Sequence, residues 1–245
     1  MCQDCGCSIL DEPTKDEMEN IHSNPQLNEK KTVDVIKQIL HKNNQEASHN
    51  RQHLEKNGVI GINLMSSPGS GKTAMLERLI DVCSFKYAVI EGDLQTSKDT
   101  KRLQDKGIDA HQITTGTACH LDAFMVHKAL HKIDTKQIDV CFVENVGNLV
   151  CPASYDVGTH LNIVLVSIPE GNDKIAKYPV MFRKADLVLF TKTDLLPYFD
   201  YDLQAEKQEL KKLKPNVDML ELNIHDEKTL RALSDWIEFK LKMRS

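Results

Sequence analysis

No apolar run in this sequence approaches the ~18 residues that cross a bilayer, and its start lacks a charged head followed by a ~7–15-residue apolar stretch. Neither a membrane span nor a secretory leader is expected, which places the chain in the cytoplasm. It also lacks a long basic run and a basic stripe interleaved with aromatics, and Lys+Arg 31 against Asp+Glu 36 leaves a net charge of −5. Proteins that track a phosphate backbone cluster their Lys and Arg, so nucleic acid is not an expected partner. Internal repeats and low-complexity tracts are missing too. Cysteine is present in an odd number, seven. In a reducing compartment such thiols serve as metal ligands, nucleophiles or core residues rather than disulfides.

Three of the seven stand in the opening MCQDCGC, as Cys2, Cys5 and Cys7. Residues 8–30 follow with two prolines, many charges and few large apolar side chains, too few to offset their own ordering entropy; they read as a flexible tether. From Thr32, the spacing of Val33, Ile36, Ile39 and Leu40 predicts a helix that Asn57-Gly58 stops. After Gly58, short apolar runs alternate with amphipathic segments: VIGINLM, 74–83, KYAVIEG, 98–106, AHQIT, 118–133, DVCFVE, HLNIVLVSI, DLVLFTK, 202–213, VDMLEL and 227–242. This alternation predicts an α/β fold, a mostly parallel sheet with helices on both faces. The organisation expected is a metal-binding tail at 1–30, a packing helix at 31–57 and a nucleotide-binding domain at 58–245.

VIGINLM runs directly into SSPGSGKT, residues 66–73, and then into a helical pattern. In a phosphate-binding loop glycines let backbone N–H groups converge on the phosphates, the lysine reaches the β/γ oxygens and the following hydroxyl ligates Mg²⁺. Gly71, Lys72 and Thr73 match, with Ser66 where the first glycine commonly stands. Two carboxylates close nearby strands: Asp93 ends KYAVIEGD, and Glu144 opens ENVG, which is similar to the Asp-x-x-Gly of GTPases, with Gly147 placed to present its amide to a γ-phosphate. Either carboxylate alone also suits a capping role. LVLFTKTD ends a strand in T-K-x-D. A carboxylate at Asp194 accepts both donors of the guanine edge and faces adenine unfavourably, which favours GTP.

Cys83 and Cys141 lie in apolar contexts and read as small core residues. Cys119 and His120, in TTGTACHLDAF, and Cys151, in ENVGNLVCPASY, form a soft donor set suited to Zn²⁺ or Ni²⁺. Neighbours on a helix diverge by ~100°, so Cys119 and His120 clasp one ion only at a helix start or in a site shared by two chains. A packed cysteine beside a helix-start histidine is the plain alternative.

Together SSPGSGKT, EGDLQTSKDTKRL, ITTGTACHLDA, ENVGNLVCPASYD, VSIPEGNDKIAKYPVMF and LFTKTDLLP resemble the HypB family of hydrogenase maturation GTPases, which assist nickel insertion into nickel-iron hydrogenase. The resemblance covers most of the chain from Thr32 on, and CQDCGC is similar to the family's N-terminal C-x-x-C-G-C. It implies a SIMIBI-type P-loop GTPase with Gly69, Ser70, Gly71, Lys72, Thr73 and Ala74 on the phosphates and Thr73 and Asp93 on Mg²⁺. Lys72, Asp93 and Glu144 would serve catalysis, Glu144 and Gly147 the switch, and Lys192 and Asp194 the base. It further implies a homodimer with Ni²⁺ or Zn²⁺ held by Cys119, His120 and Cys151 of both subunits, and a separate nickel site at Cys2, Cys5 and Cys7. A hydrogenase maturation partner and the hydrogenase large subunit would be the other partners. Ser66 in place of the first glycine is a family trait. Residues 221–229 carry no clear guanine-ring signal, and no base contact is assigned there.

The expected mechanism is a switch in which GTP orders the segment after Glu144, Cys151 moves with it, and hydrolysis releases metal. No arginine finger is visible, so intrinsic turnover should be slow. Three rivals share parts of the pattern. A P-loop kinase gives TKTD no role, a urease-accessory-like GTPase lacks the Cys119, His120, Cys151 set, and a storage protein would use nucleotide only to stabilise its fold.

Overall fold

The seven strands form one sheet in which every pairing is parallel, in the order β3-β2-β4-β1-β5-β6-β7. The strands are β1 Ile60–Ser66, β2 Tyr87–Asp93, β3 Asp109–Thr114, β4 Val140–Glu144, β5 Leu161–Ser167, β6 Leu187–Thr191 and β7 Asp218–Leu222. This computed structural model describes residues 29–93, 97–116 and 118–244, with side chains from residue 37 onward. Cys2, Cys5 and Cys7 and all but the end of the expected tether lie outside the described residues. The chain divides into the units Met1–Leu40 and His41–Ser245; only a helical stretch of the first is described, and the second holds the sheet.

The central strands are buried on both faces, as near-continuous apolar sequence requires when helices cover both sides. All seven residues of β1 and all five of β4 are buried. On one face Ile60, Ile62, Leu64, Val89, Phe142 and Leu165 pack with Leu76 and Leu79 of α2 (Lys72–Leu79), Leu103 of α3 (Lys98–Asp105) and Leu233 and Ile237 of α8 (Glu227–Lys242). On the other, Ile90, Cys141 and Val143 pack with Leu54 of α1 (Glu29–Lys56) and Val126 and Leu130 of α4 (Ala123–Leu130). Further along the same side, Val164, Val166, Val188 and Phe190 meet Phe182 of α6 (Pro179–Lys184), beyond the single turn α5 (Lys174–Lys177), and Leu210 of α7 (Leu203–Leu213). Cys141 is buried in the core, as its apolar context predicts, whereas Cys83 is only partly buried and packs against the cluster on the opposite face.

Two boundaries differ from expectation. The first helix begins at Glu29, inside the segment read as tether. The segment 118–133 is helical only from Ala123, because Asp122 caps that helix by accepting the Met125 N–H at 2.8 Å. A carboxylate there satisfies an otherwise orphaned N–H, and it leaves Cys119 and His120 on irregular backbone outside the helix.

Candidate functional site

Parallel sheets place functional groups beyond the carboxyl ends of their strands, and this sheet does so at β1, β2, β4 and β6. The turn after β1 carries Gly69 at φ 75° and Gly71 at φ 96°. An L-side chain is strained there, and a Cβ at either position would meet only open space. The loop is thus shaped as a backbone concavity, a nest for anions at the start of α2. Ser70 and Ala74 lie in this loop and in the first turn of α2.

Lys72 and Thr73 are buried at the head of α2. The Lys72 ammonium donates to Ser66 Oγ at 2.9 Å, so the serine in the first-glycine position holds that amine. Burial pushes the Lys72 pKa down against the opposing pull of Glu144 and Glu170. Thr73 Oγ1 donates to Glu144 Oε1 at 2.8 Å. Glu144 is 5% exposed, its other oxygen, Oε2, is buried without a partner, and burial pushes its pKa up to about 7. A threonine hydroxyl and an unsatisfied carboxylate oxygen are hard oxygen donors, which fits Mg²⁺. Asp93 ends β2, half-buried, two residues beyond Glu91, which stands beside Glu144 in register.

The base motif lies beyond β6 and is tied to the phosphate loop. Thr191 Oγ1 donates to the Ser70 carbonyl and Lys192 Nζ to the Gly69 carbonyl, each at 2.8 Å. Among the described residues, Lys192 alone of the non-glycines has positive φ, 59°. Asp194 is exposed in the 3-10 turn that follows. Gly147, beyond β4, lies directly against the loop: a Cβ there would stand 2.7 Å from Pro68 Cα.

Cys119, His120 and Cys151 are brought together. One donor atom from each lies within 4.8 Å of the others, with the two Sγ atoms 2.9 Å apart and Cys119 Sγ 3.6 Å from His120 Nδ1. The helical divergence of neighbouring side chains does not apply, because α4 starts three residues later. Asn148 Oδ1 accepts the Val150 and Cys151 amides at 2.7 and 3.3 Å, shaping the turn that presents Cys151. His120 stacks on Tyr155 at 4.0 Å, and burial lowers its pKa, favouring the neutral imidazole that a metal requires. The thiol contact with Cys119 raises the Cys151 pKa.

Sequence reasoning passed over three residues here. Glu170, in the turn after β5, lies 2.6 Å from Ser70 Oγ, whose single proton it shares with the Ser67 carbonyl at 2.8 Å. Its signal was local: Ser167 and Glu170 form a capping box. Glu91 is buried and bonded by the Thr100 hydroxyl. Asn145, next to Glu144, accepts the Leu121 N–H at 3.0 Å and reaches Asn63 of β1 at 3.3 Å.

Residues 60–221 match the family described as CobW/HypB/UreG, nucleotide-binding domain. A hydrogenase/urease maturation factor HypB from Helicobacter hepaticus is 49% identical over 226 residues, 91% of this chain and 93% of that protein. The crystal structure of HypB from Helicobacter pylori in complex with nickel superposes with a TM-score of 0.81 at 44% identity, covering 82% of this chain and 96% of that one. Hydrogenase maturation factor HypB from Archaeoglobus fulgidus does so at 0.77 and 34%, covering 82% and 100%.

Proposed function

The chain belongs to the HypB branch of the CobW/HypB/UreG family, and from that premise we propose a GTP-hydrolysing nickel metallochaperone whose nucleotide state governs metal binding and dimerisation. One observation carries the reading: the segment from Glu144 to Cys151 has a nucleotide-side carboxylate at one end and a metal-side thiol at the other. Glu144 is bonded to Thr73, Cys151 lies against Cys119, and Asn145 between them holds the Leu121 amide.

GTP enters with its phosphates on the amides of residues 69–74 and its guanine edge on Asp194, while Lys72 neutralises the β/γ oxygens. Thr73 and Asp93 would hold Mg²⁺, which supplies charge neutralisation to the phosphates when bound with the nucleotide. A γ-phosphate draws on the Gly147 amide, and a shift there moves the turn at Asn148 that sets Cys151. Nickel or zinc is cargo on Cys119, His120 and Cys151. Three donors per chain fall short of a complete shell, and a two-fold dimer supplies six. Hydrolysis lowers metal affinity and passes nickel towards the hydrogenase large subunit through a maturation partner. Chemistry here needs positioning and electrostatics alone, and with no arginine finger expected from the sequence, turnover is slow. The terminal thiols Cys2, Cys5 and Cys7 form a second nickel site ahead of the helix and nucleotide-binding domain, in a cytoplasmic protein.

The test is a titration of Ni²⁺ and Zn²⁺ into the full chain and into a chain lacking residues 1–7, each with GDP and with a non-hydrolysable GTP analogue, followed by sedimentation. Metal affinity and dimerisation of both chains should change with nucleotide. Nucleotide-insensitive binding in both refutes the switch and leaves the storage reading.

A further inference from the structure

Four histidines and a glutamate gather between α1 and α4. His127 Nε2 and His131 Nε2 are 2.9 Å apart, on residues one helical turn apart in sequence. The His53 ring meets that of His131 edge-on with centroids 5.7 Å apart, and His49 Nδ1 lies 3.7 Å from Glu46 Oε2.

The other nitrogen of His127 fixes its tautomer. Nδ1 faces two acceptors, Glu46 Oε1 at 2.9 Å and Asn50 Oδ1 at 3.0 Å. Asn50 is held in turn by donating to the Ala123 and Val157 carbonyls at 2.8 and 3.1 Å, so its oxygen, not its amide nitrogen, faces the ring. Nδ1 therefore carries the proton, and the Nε2 lone pair points at His131. That lone pair accepts the His131 Nε2–H, a proton that an ion would replace, and a ring whose far N–H is anchored on a buried carboxylate is the arrangement that orients metal-ligating histidines. Glu46 is 8% exposed, whereas His131 is open to solvent, so the pair has an anchored inner ligand and an accessible outer one. Two nitrogens about 2.1 Å from one ion at the right angle of a square-planar Ni²⁺ or Cu²⁺ stand about 3 Å apart, close to the separation observed.

We propose that His127 and His131, as a two-imidazole chelate completed by solvent, form a separate binding site for a divalent first-row transition ion such as Ni²⁺ or Cu²⁺. Imidazole-only ligation selects this group over Mg²⁺ or Ca²⁺. The site shares no ligand with Cys119, His120 and Cys151, and it stands whether or not the chain hydrolyses GTP.

The test uses the full chain with Cys2, Cys5, Cys7, Cys119 and Cys151 changed to Ser, dialysed against Ni²⁺ or Cu²⁺ alone. One equivalent should remain bound, and bound Cu²⁺ should show nitrogen superhyperfine splitting in its electron paramagnetic resonance spectrum. His131→Ala, a solvent-facing change, should abolish that equivalent without moving the thermal unfolding midpoint. Glu46→Gln keeps an acceptor but removes the anionic anchor, and should weaken binding ~10–100-fold. A folded His131→Ala chain that retains the same equivalent and the same nitrogen splitting overturns the proposal, as does a parent chain that binds no equivalent at all.

Discussion

Asn145 ties the end of β4 to the loop that carries Cys119 and His120: its side-chain oxygen accepts the Leu121 N–H at 3.0 Å, one residue beyond His120. The same oxygen accepts the Val146 N–H at 3.0 Å, and the amide nitrogen donates to Asn63 Oδ1 at 3.3 Å. Coupling between sites travels through contacts of this kind when they join elements with two arrangements. Asn145→Ala should leave both ligand sites intact yet bring the ratio of Ni²⁺ affinities in GTP-analogue and GDP states towards one. By linkage, the effect of Ni²⁺ on GDP affinity should vanish equally. Stability should fall by ~1–3 kcal/mol, since a buried N–H loses its acceptor. Calorimetric titration in both orders reads all three.

Lys72 is embedded among Ser66, Glu144 and Glu170, and in the proposed mechanism its charge serves the phosphates. Lys72→Ala should reduce single-turnover GTP hydrolysis by ~10²–10³-fold, the cost of deleting one preorganised donor. Ni²⁺ binding at Cys119, His120 and Cys151 should survive while transfer of nickel to an acceptor fails. Intact transfer would favour the storage reading.

Gly147 has no room for a side chain. In Gly147→Ala the new Cβ would stand 2.7 Å from Pro68 Cα and 2.8 Å from Pro68 N. Both are backbone atoms and cannot swing aside, so the phosphate loop must yield. The expected outcome is a loss of ~1–3 kcal/mol in urea unfolding, with GTP-analogue affinity falling more than GDP affinity because the γ-phosphate side of the loop is displaced.

The fold was readable because each central strand is an apolar run ended by a carboxylate, hydroxyl or glycine, a pattern that follows from burial on two faces. The phosphate loop and T-K-x-D were readable because their chemistry depends on neighbours in sequence. Glu170 and Asn145 were not, since their partners lie 100 and 24 positions away and only the strand order brings them together. The His127 and His131 pair has helical spacing, but its anchor Glu46 comes from α1, 81 positions earlier by number. For Cys119 and His120, Asp122 was the missed signal. A capping carboxylate three residues ahead of Met125 marks where the helix starts.

His160 predicts a pH dependence. Gly61 N–H donates to His160 Nδ1 at 2.8 Å, so that nitrogen must stay unprotonated, and the side chain is 1% exposed. Burial first, then the charge of Arg244, lowers its pKa from 6.5 to about 4. A depressed histidine pKa means the unfolded chain takes up a proton that the folded chain refuses. The stability this represents is complete above pH 6.5 and is lost as pH falls towards about 4. Between those limits, His160→Gln should remove about 3 kcal/mol of the acid-side loss of unfolding free energy in chemical denaturation.

Thr191 and Lys192 each grip a carbonyl of the phosphate loop from the β6 side, at 2.8 Å. In the site proposed above, the span between the base end and the phosphate end of a nucleotide would be set by a single strand terminus, like a fixed ruler. Such a ruler measures where the base sits and is blind to how many phosphates follow. Counting phosphates would then fall to the opposite bank of the loop, where Gly147 lies against Pro68 in the position of a pawl.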